Sequence, residues 1–147
     1  RVQVNNPIGA DISSGEIQTV NFTVTKAPGS GDIDLTNVTV SWQGPDTTTF
    51  ALDPTSSGTT GVAISNITDV GSTIGPDDNY VLSSSQDRAK VTLNLGGAQP
   101  GTPMSDIDAL GPNTEVSLEL TTADGGSTSL VLHTPQTLTS EDSTRLS

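Results

Sequence analysis

The sequence predicts an all-β protein, an antiparallel β-sandwich of about seven to eight strands. Short runs of the chain alternate apolar and polar residues with the period of two that is typical of half-buried strands. Gly and Pro recur between these runs at short intervals, as expected of turns that join many strands. No segment shows the 3.6-residue apolar period of a helix, so an all-β class is the prediction.

The alternating runs locate the strands. Four runs are clear, and their apolar positions are Val20, Phe22 and Val24; Val38, Val40 and Trp42; Ala89, Val91, Leu93 and Leu95; and Val116, Leu118 and Leu120. Shorter apolar pairs predict three further strands, at Phe50 and Leu52, Val62 and Ile64, and Tyr80 and Leu82. A hairpin turn is predicted at residues 124–126, before a last strand with Leu130 and Leu132 inward and Val131 and His133 outward. This count and spacing are typical of an Ig-like sandwich.

The remaining segments predict loops and termini of a single domain that spans residues 1–147. Residues 96–112 are rich in Gly and Pro and predict a loop, and residues 136–147 predict a polar C-terminal tail. The chain has no internal repeat, and its length suits one core. It opens at Arg1 without Met or a signal peptide, so we expect a targeting segment upstream.

The charge is strongly acidic and narrows the possible partners. Asp and Glu total 17 and Lys and Arg total 5, which gives a net charge of −12. The bases are scattered along the chain, so no basic patch is predicted, and nucleic acid and anionic membrane are poor partners. No stretch is apolar enough to span a membrane, and Cys is absent. An acidic excess with few lysines is typical of proteins from strong brine, where salt screens the repulsion between surface charges.

Catalysis is disfavoured by the inventory of reactive side chains. His133 is the single histidine and is predicted to face solvent from a strand, and the chain has no Gly-x-Ser-x-Gly motif. A Cys/His zinc site is impossible without cysteine. Glycoside hydrolysis by paired carboxylates usually needs an aromatic-lined cleft, and four aromatic residues cannot fill a core and also line one. We therefore predict that the protein is not an enzyme and needs no cofactor.

Acidic pairs leave a structural cation open as a hypothesis. Calcium favours several carboxylate oxygens that converge from a loop, and none of the acidic segments matches an EF-hand. The alternative is a solvated acidic loop. The weak metal-ligand candidates are Asp77 with Asp78 and Asp106 with Asp108; Asp32 with Asp34 is a further pair.

Three N-glycosylation sequons are the sharpest local motifs. Each has the Thr form, and the acceptors are Asn21, Asn37 and Asn66. Asn21 and Asn37 are predicted on the outward faces of their strands, where a glycan fits. Chance occurrence in a chain rich in Asn and Thr is the alternative.

Two parts of the chain carry a specific sequence pattern. The first comprises residues 20–35, including the stretch KAPGSGDIDL, and residues 38–45, VTVSWQGP. The second comprises residues 114–126, TEVSLELTTADGG, and residues 130–138, LVLHTPQTL. These segments resemble the outer domain of haloarchaeal archaellins, the filament subunits of the archaeal flagellum. The resemblance covers about half of the chain, and residues 47–112 show little of it.

The resemblance implies a structural role outside the cell. Archaellins have a hydrophobic N-terminal helix in the filament core and a β-sandwich that coats the filament, so residues 1–16 would be the entry segment from that helix. The implied function is a filament subunit for swimming motility, with lateral contacts to other archaellin subunits, N-linked glycans and an acidic surface. No membrane partner is expected for the outer domain. The alternative is an archaellum or pilus accessory protein, or an adhesin domain, that binds the cell envelope. An exposed apolar patch would favour this alternative.

Overall fold

The computed structural model confirms the all-β class. It describes residues 2–13, 15–29, 31–45, 47–52, 62–68, 80–96, 104–123, 125–136 and 143–146. The strands are β1 Val2–Ser13, β2 Glu16–Lys26, β3 Ile33–Asp34, β4 Thr39–Gln43, β5 Thr47–Ala51, β6 Val62–Thr68, β7 Val81–Leu82, β8 Arg88–Gly96, β9 Met104–Asp108, β10 Glu115–Thr121, β11 Ser127–His133 and β12 Ser143–Arg145. A three-residue 3₁₀ helix, Leu35–Asn37, precedes β4. In these ranges no helix has the length and apolar character needed to cross a membrane.

Two sheets face each other, and a third, two-stranded sheet joins β3 to β7. The larger sheet has the order β12-β1-β2-β8-β6, and β9 adds to β8. The smaller sheet has the order β11-β10-β4-β5. All pairings are antiparallel except that of β9 with β8, which is parallel. The four strands of the clear runs, β2, β4, β8 and β10, therefore lie inside the sheets, each with a neighbouring strand on both sides.

One apolar core fills the space between the two sheets. Phe22 of β2 and Trp42 of β4 are the largest fully buried side chains, with 1% and 0% exposure. They come from opposite sheets and belong to the same cluster of buried residues. Strand alternation places each apolar row on the inner face, where burial stabilises the fold by about 25 cal/mol per Å² of apolar area.

The structure confirms the side-chain orientation that was predicted for the clear runs. The predicted inward residues of β2, β8 and β10 are all buried, and those of β4 are buried with the adjacent Val38. On β11, Leu132 is buried and Val131 is 43% exposed, as predicted. Thr122 and Gly125 close the predicted hairpin through a 3.0 Å hydrogen bond from the Gly125 amide to the Thr122 carbonyl. Gly125 has a φ of 94°, which a residue without a Cβ adopts at little cost.

Other segments differ from the prediction. The described residues form twelve strands, more than the seven to eight predicted, because the long β1 and the short β3, β9 and β12 were not predicted. The loop prediction for residues 96–112 is wrong at Met104–Asp108, which forms β9. The predicted entry segment contains the twelve-residue β1, and the predicted tail contains β12, which pairs with β1. β1 breaks its own alternation, because its register with β2 shifts between Asn5 and Ile8.

Leu146 joins the two sheets at one edge of the sandwich. Its amide donates to the Pro7 carbonyl in β1 at 3.0 Å, and its carbonyl accepts from the His133 amide in β11 at 2.6 Å. The Leu146 side chain is fully buried in the core. This residue therefore fixes the spacing of the sheets through both its backbone and its side chain.

A buried carboxylate organises the loop between β7 and β8. Asp87 has no exposed surface, and its Oδ2 accepts from the Ser83 and Ser84 amides at 2.9 and 3.0 Å. The Asp87 amide in turn donates to the Ser84 carbonyl at 3.0 Å. Hydrogen bonds to an ionised acceptor are stronger than neutral ones, so this loop is held by its own side chain.

Replacing Asp87 with alanine is expected to lower the free energy of unfolding by about 1.5–3 kcal/mol, because amides that bind the carboxylate lose their acceptor. Urea denaturation at fixed salt, followed by circular dichroism, measures the loss. Asp32→Ala is the matched control, since Asp32 is exposed and should tolerate the change. Equal losses in both variants would contradict the role of Asp87.

Candidate functional site

The Asn21 sequon lies on a crowded part of the larger sheet. Asn21 is on β2, between β1 and β8, and its backbone pairs with Ile8 and Thr92. Its Oδ1 accepts a hydrogen bond from Thr92 Oγ1 at 2.7 Å, and the residue is half-buried. Asn21 faces away from the sandwich core, as predicted, but neighbouring strands limit access to its amide.

The Asn37 sequon lies at an exposed end of the sandwich. Asn37 is exposed and is the last residue of the 3₁₀ helix, so the prediction that it lies on a strand is wrong. Its Nδ2 donates to Asp34 Oδ2 at 3.4 Å. A glycosylated amide keeps one N–H, so this contact is compatible with a glycan.

The Asn66 sequon lies on β6, an edge strand of the larger sheet. Asn66 and Thr68 are both exposed, and the register with β8 shifts between them. Asn66 is opposite the buried Ala89, so it is on the core-facing side of β6, yet its side chain is exposed at this edge of the sheet.

Of the acidic pairs, only Asp32 with Asp34 has side chains that the structure describes. Asp34 caps the 3₁₀ helix, and its Oδ1 accepts from the amide and hydroxyl of Thr36 at 3.0 and 2.6 Å. Among the described residues, no group of three or more His, Cys, Asp or Glu side chains converges. Asp77 and Asp78 lie outside the described residues, and Asp106 and Asp108 lie on β9, where only the backbone is described.

His133 is placed for a surface contact. It is opposite Glu115 in the β10–β11 pairing, with 3.4 Å between His133 Nε2 and Glu115 Oε2. Both side chains are 61% exposed, and water screening makes such a pair worth little.

A basic groove on the larger sheet is the feature that the sequence analysis missed. It measures about 340 Å³ and is lined by polar side chains of β1 and β2, including Gln3 and Thr23, together with Lys26 and Arg88. Among the described lining residues there is no carboxylate. Lys90 is exposed two residues after Arg88, opposite the groove residue Thr23. Strand pairing therefore brings together basic residues that are distant in sequence. The sequence feature that could have indicated this groove is the spacing of Arg88 and Lys90, which places both on one face of a strand.

The outward side of the smaller sheet has the opposite charge. Glu115 and Glu119 are exposed on β10, which lies inside the sheet. Ser117 lies between them, and the neighbouring outward positions on β4 and β11 include Ser41 and Ser129. The exposed charged side chains on the two outer faces of the sandwich thus have opposite sign.

Comparison with known proteins identifies similar sequences over nearly the whole chain. A model of the family described as archaeal-type flagellin matches residues 1–132. Flagellin B3 of Halobacterium salinarum is 31% identical over 150 residues, which cover 98% of this chain and 71% of that relative.

Solved structures share the fold at lower identity. Archaeal flagellin FlaB1 from Methanocaldococcus jannaschii matches with a TM-score of 0.73 and 18% identity, over 99% of this chain and 95% of that chain. The archaeal flagellum of Methanospirillum hungatei strain JF1 matches with a TM-score of 0.57 and 21% identity, over 92% of this chain and 66% of that chain. The FlaB1 match covers 99% of this chain and so includes the terminal strands β1 and β12.

Proposed function

Because this chain belongs to the archaeal-type flagellin family, we propose that it is the outer domain of an archaellum filament subunit whose sandwich makes lateral contacts with other subunits. The match of the family model to residues 1–132 carries this proposal. The subunit is located in an extracellular surface filament and serves swimming motility.

The work of such a domain is mechanical. A single core joins both sheets, and Leu146 links β1 to β11, so the sandwich transmits load as one body. The protein acts without catalysis or a cofactor in this proposal. The flagellin relatives are structural proteins, and their family resemblance supports a non-enzymatic role.

Sheared surface filaments from the native cells test the proposal. We expect the protein, identified by intact mass and peptide mapping, to be a major filament component. Its deletion should abolish or shorten the filaments and reduce swimming, and the wild-type gene should restore both. A protein found in the envelope and absent from filaments would instead support the accessory or adhesin alternative.

Surface N-glycans are part of the proposed function. Asn37 and Asn66 are exposed, and their sequon threonines Thr39 and Thr68 are exposed as well. Asn21 is half-buried and engages Thr92, so an acceptor amide there is harder to reach. We expect higher occupancy at Asn37 and Asn66 than at Asn21, because transfer needs an accessible amide.

Glycopeptide mapping with sequon variants checks this expectation. Thr39→Ala removes the sequon and should eliminate sugar from Asn37, whereas Thr39→Ser keeps the sequon and should retain it. The same mapping measures Asn21 and Asn66 in each variant. A fully occupied Asn21 beside empty Asn37 and Asn66 would contradict the accessibility argument.

Stability should also depend on salt. The protein has a net charge of −12, so its surface carboxylates repel one another. At 1 M salt the Debye screening length is about 3 Å, which largely removes this repulsion. We expect Tm to fall between multimolar and millimolar KCl, by about 2–4 °C for each kcal/mol of lost stability in a domain of this size. Calorimetry at several KCl and NaCl concentrations measures it. An unchanged Tm across that range would reject the halophilic interpretation.

A further inference from the structure

The two outer faces of the sandwich carry opposite charge, although the whole protein is strongly acidic. The basic face is the outward side of the larger sheet beside the groove, with Arg88 and Lys90. The acidic face is the outward side of β10, with Glu115 and Glu119. Two of the five bases in the chain thus project from the outward face of one sheet.

We propose that the basic face of one subunit docks on the acidic face of a second copy of this chain. This inference rests on the proposed filament function and names the surfaces of its lateral contact. Opposite charges on the two faces favour this pairing, whereas two basic faces or two acidic faces repel. The contact joins different surfaces of identical subunits, and such heterologous contacts generate open polymers rather than closed dimers.

The composition of the faces suits a contact in brine. Arg88 and Lys90 alternate with inward residues on β8, so their side chains project on the same side, about 7 Å apart. Glu115 and Glu119 also project to one side of β10, but they are four residues apart and so about 14 Å from each other along the strand. Charges in direct contact are screened less by salt than charges separated by solvent. The small residues Ser41 and Ser129 lie on either side of Glu119 and allow close approach of the two faces there, whereas His133 lies opposite Glu115.

The area of the contact indicates that it is stable only when it is repeated along a filament. Four strands about 4.8 Å apart, with seven residues of about 3.4 Å each, present a face of about 19 by 24 Å. Two such faces bury about 900 Å², which is below the roughly 1,200 Å² of stable binary complexes. A single contact is therefore weak, and repetition along a filament raises its effective strength.

The location of the sequons agrees with this arrangement. Asn37 is at the end of the sandwich beside Asp34, and Asn66 is on an edge strand with the facing of the core. Both lie outside the two faces, so glycans there leave the contact open. Asn21 is on the basic face, two residues from Thr23, where a glycan would separate the subunits.

Charge swapping in native cells tests the contact. We expect the pair Arg88→Glu with Lys90→Glu to reduce the yield of sheared filaments at least about tenfold, because like charges then face each other. The pair Glu115→Lys with Glu119→Lys should do the same. Combining all four changes should restore most of the yield. Asp32→Lys, which changes an exposed carboxylate outside both faces, is the control and should assemble normally. Normal assembly of both face variants would overturn the proposal.

Crosslinking of wild-type filaments gives an independent readout that does not depend on variant folding. A zero-length carbodiimide reagent should join Lys90 of one subunit to Glu119 or Glu115 of another, as identified by mass spectrometry of filaments with mixed isotope labels. Crosslinks confined to other surfaces would reject the face contact and leave the filament function intact. Absence of the protein from wild-type filaments would reject the filament function itself.

Discussion

Replacing Trp42 with alanine is expected to reduce the free energy of unfolding by about 3–5 kcal/mol. Trp42 is fully buried in β4 and is opposite Leu118 on the neighbouring strand β10. The substitution removes the largest side chain of the core and leaves a cavity that strands held on both sides cannot close. Urea denaturation at constant KCl, followed by far-ultraviolet circular dichroism, measures the loss without depending on indole fluorescence.

Trp42→Phe is the matched control for that experiment. The indole Nε1 has no hydrogen-bond partner in the structure, although it is buried. Phenylalanine keeps an aromatic ring and removes this unsatisfied donor, whose burial costs about 1–3 kcal/mol. The loss in Trp42→Phe should therefore be much smaller than in Trp42→Ala. Equal losses would show that cavity formation does not determine the effect.

Leu146→Ala is expected to cost about 2–5 kcal/mol, the range for large-to-small changes at fully buried positions. The backbone bonds of residue 146 to Pro7 and His133 can persist in this variant, so the loss reports on the side chain. Thermal and urea unfolding measure it under the same salt conditions.

Val131→Ala provides the comparison, because Val131 is 43% exposed on β11 and the change also shortens an aliphatic side chain. It should leave stability nearly unchanged. If Leu146→Ala were equally mild, the Leu146 side chain would contribute little to the core, and the residue would link the sheets through its backbone alone.

The facing of side chains was predictable wherever alternation was regular. On β2, Val20, Phe22 and Val24 are buried while Asn21 is directed outward, as the pattern indicated. The pattern failed on β1, because the register shift between Asn5 and Ile8 interrupts the period of two. It also failed on β9, because a short strand between Gly-rich segments has no alternation of its own to detect.

The candidate site was only partly predictable. The sequons are local motifs, so Asn21, Asn37 and Asn66 were found at once, but their exposure depends on neighbours such as Thr92. The basic groove escaped detection because Lys26 and Arg88 are distant in sequence. They share a groove only because β2 pairs with β8.

The sequence by itself determined the all-β class, the inward rows of the clear strands, the acidic charge and the family. These properties follow from composition, local motifs and a period of two residues, all of which are visible within short windows. Only the tertiary structure decided strand order, the union of β12 with β1 and the division of the surface into basic and acidic faces. Those features depend on which distant segments pair, and pairing is decided by the packing of the whole core rather than by any one segment.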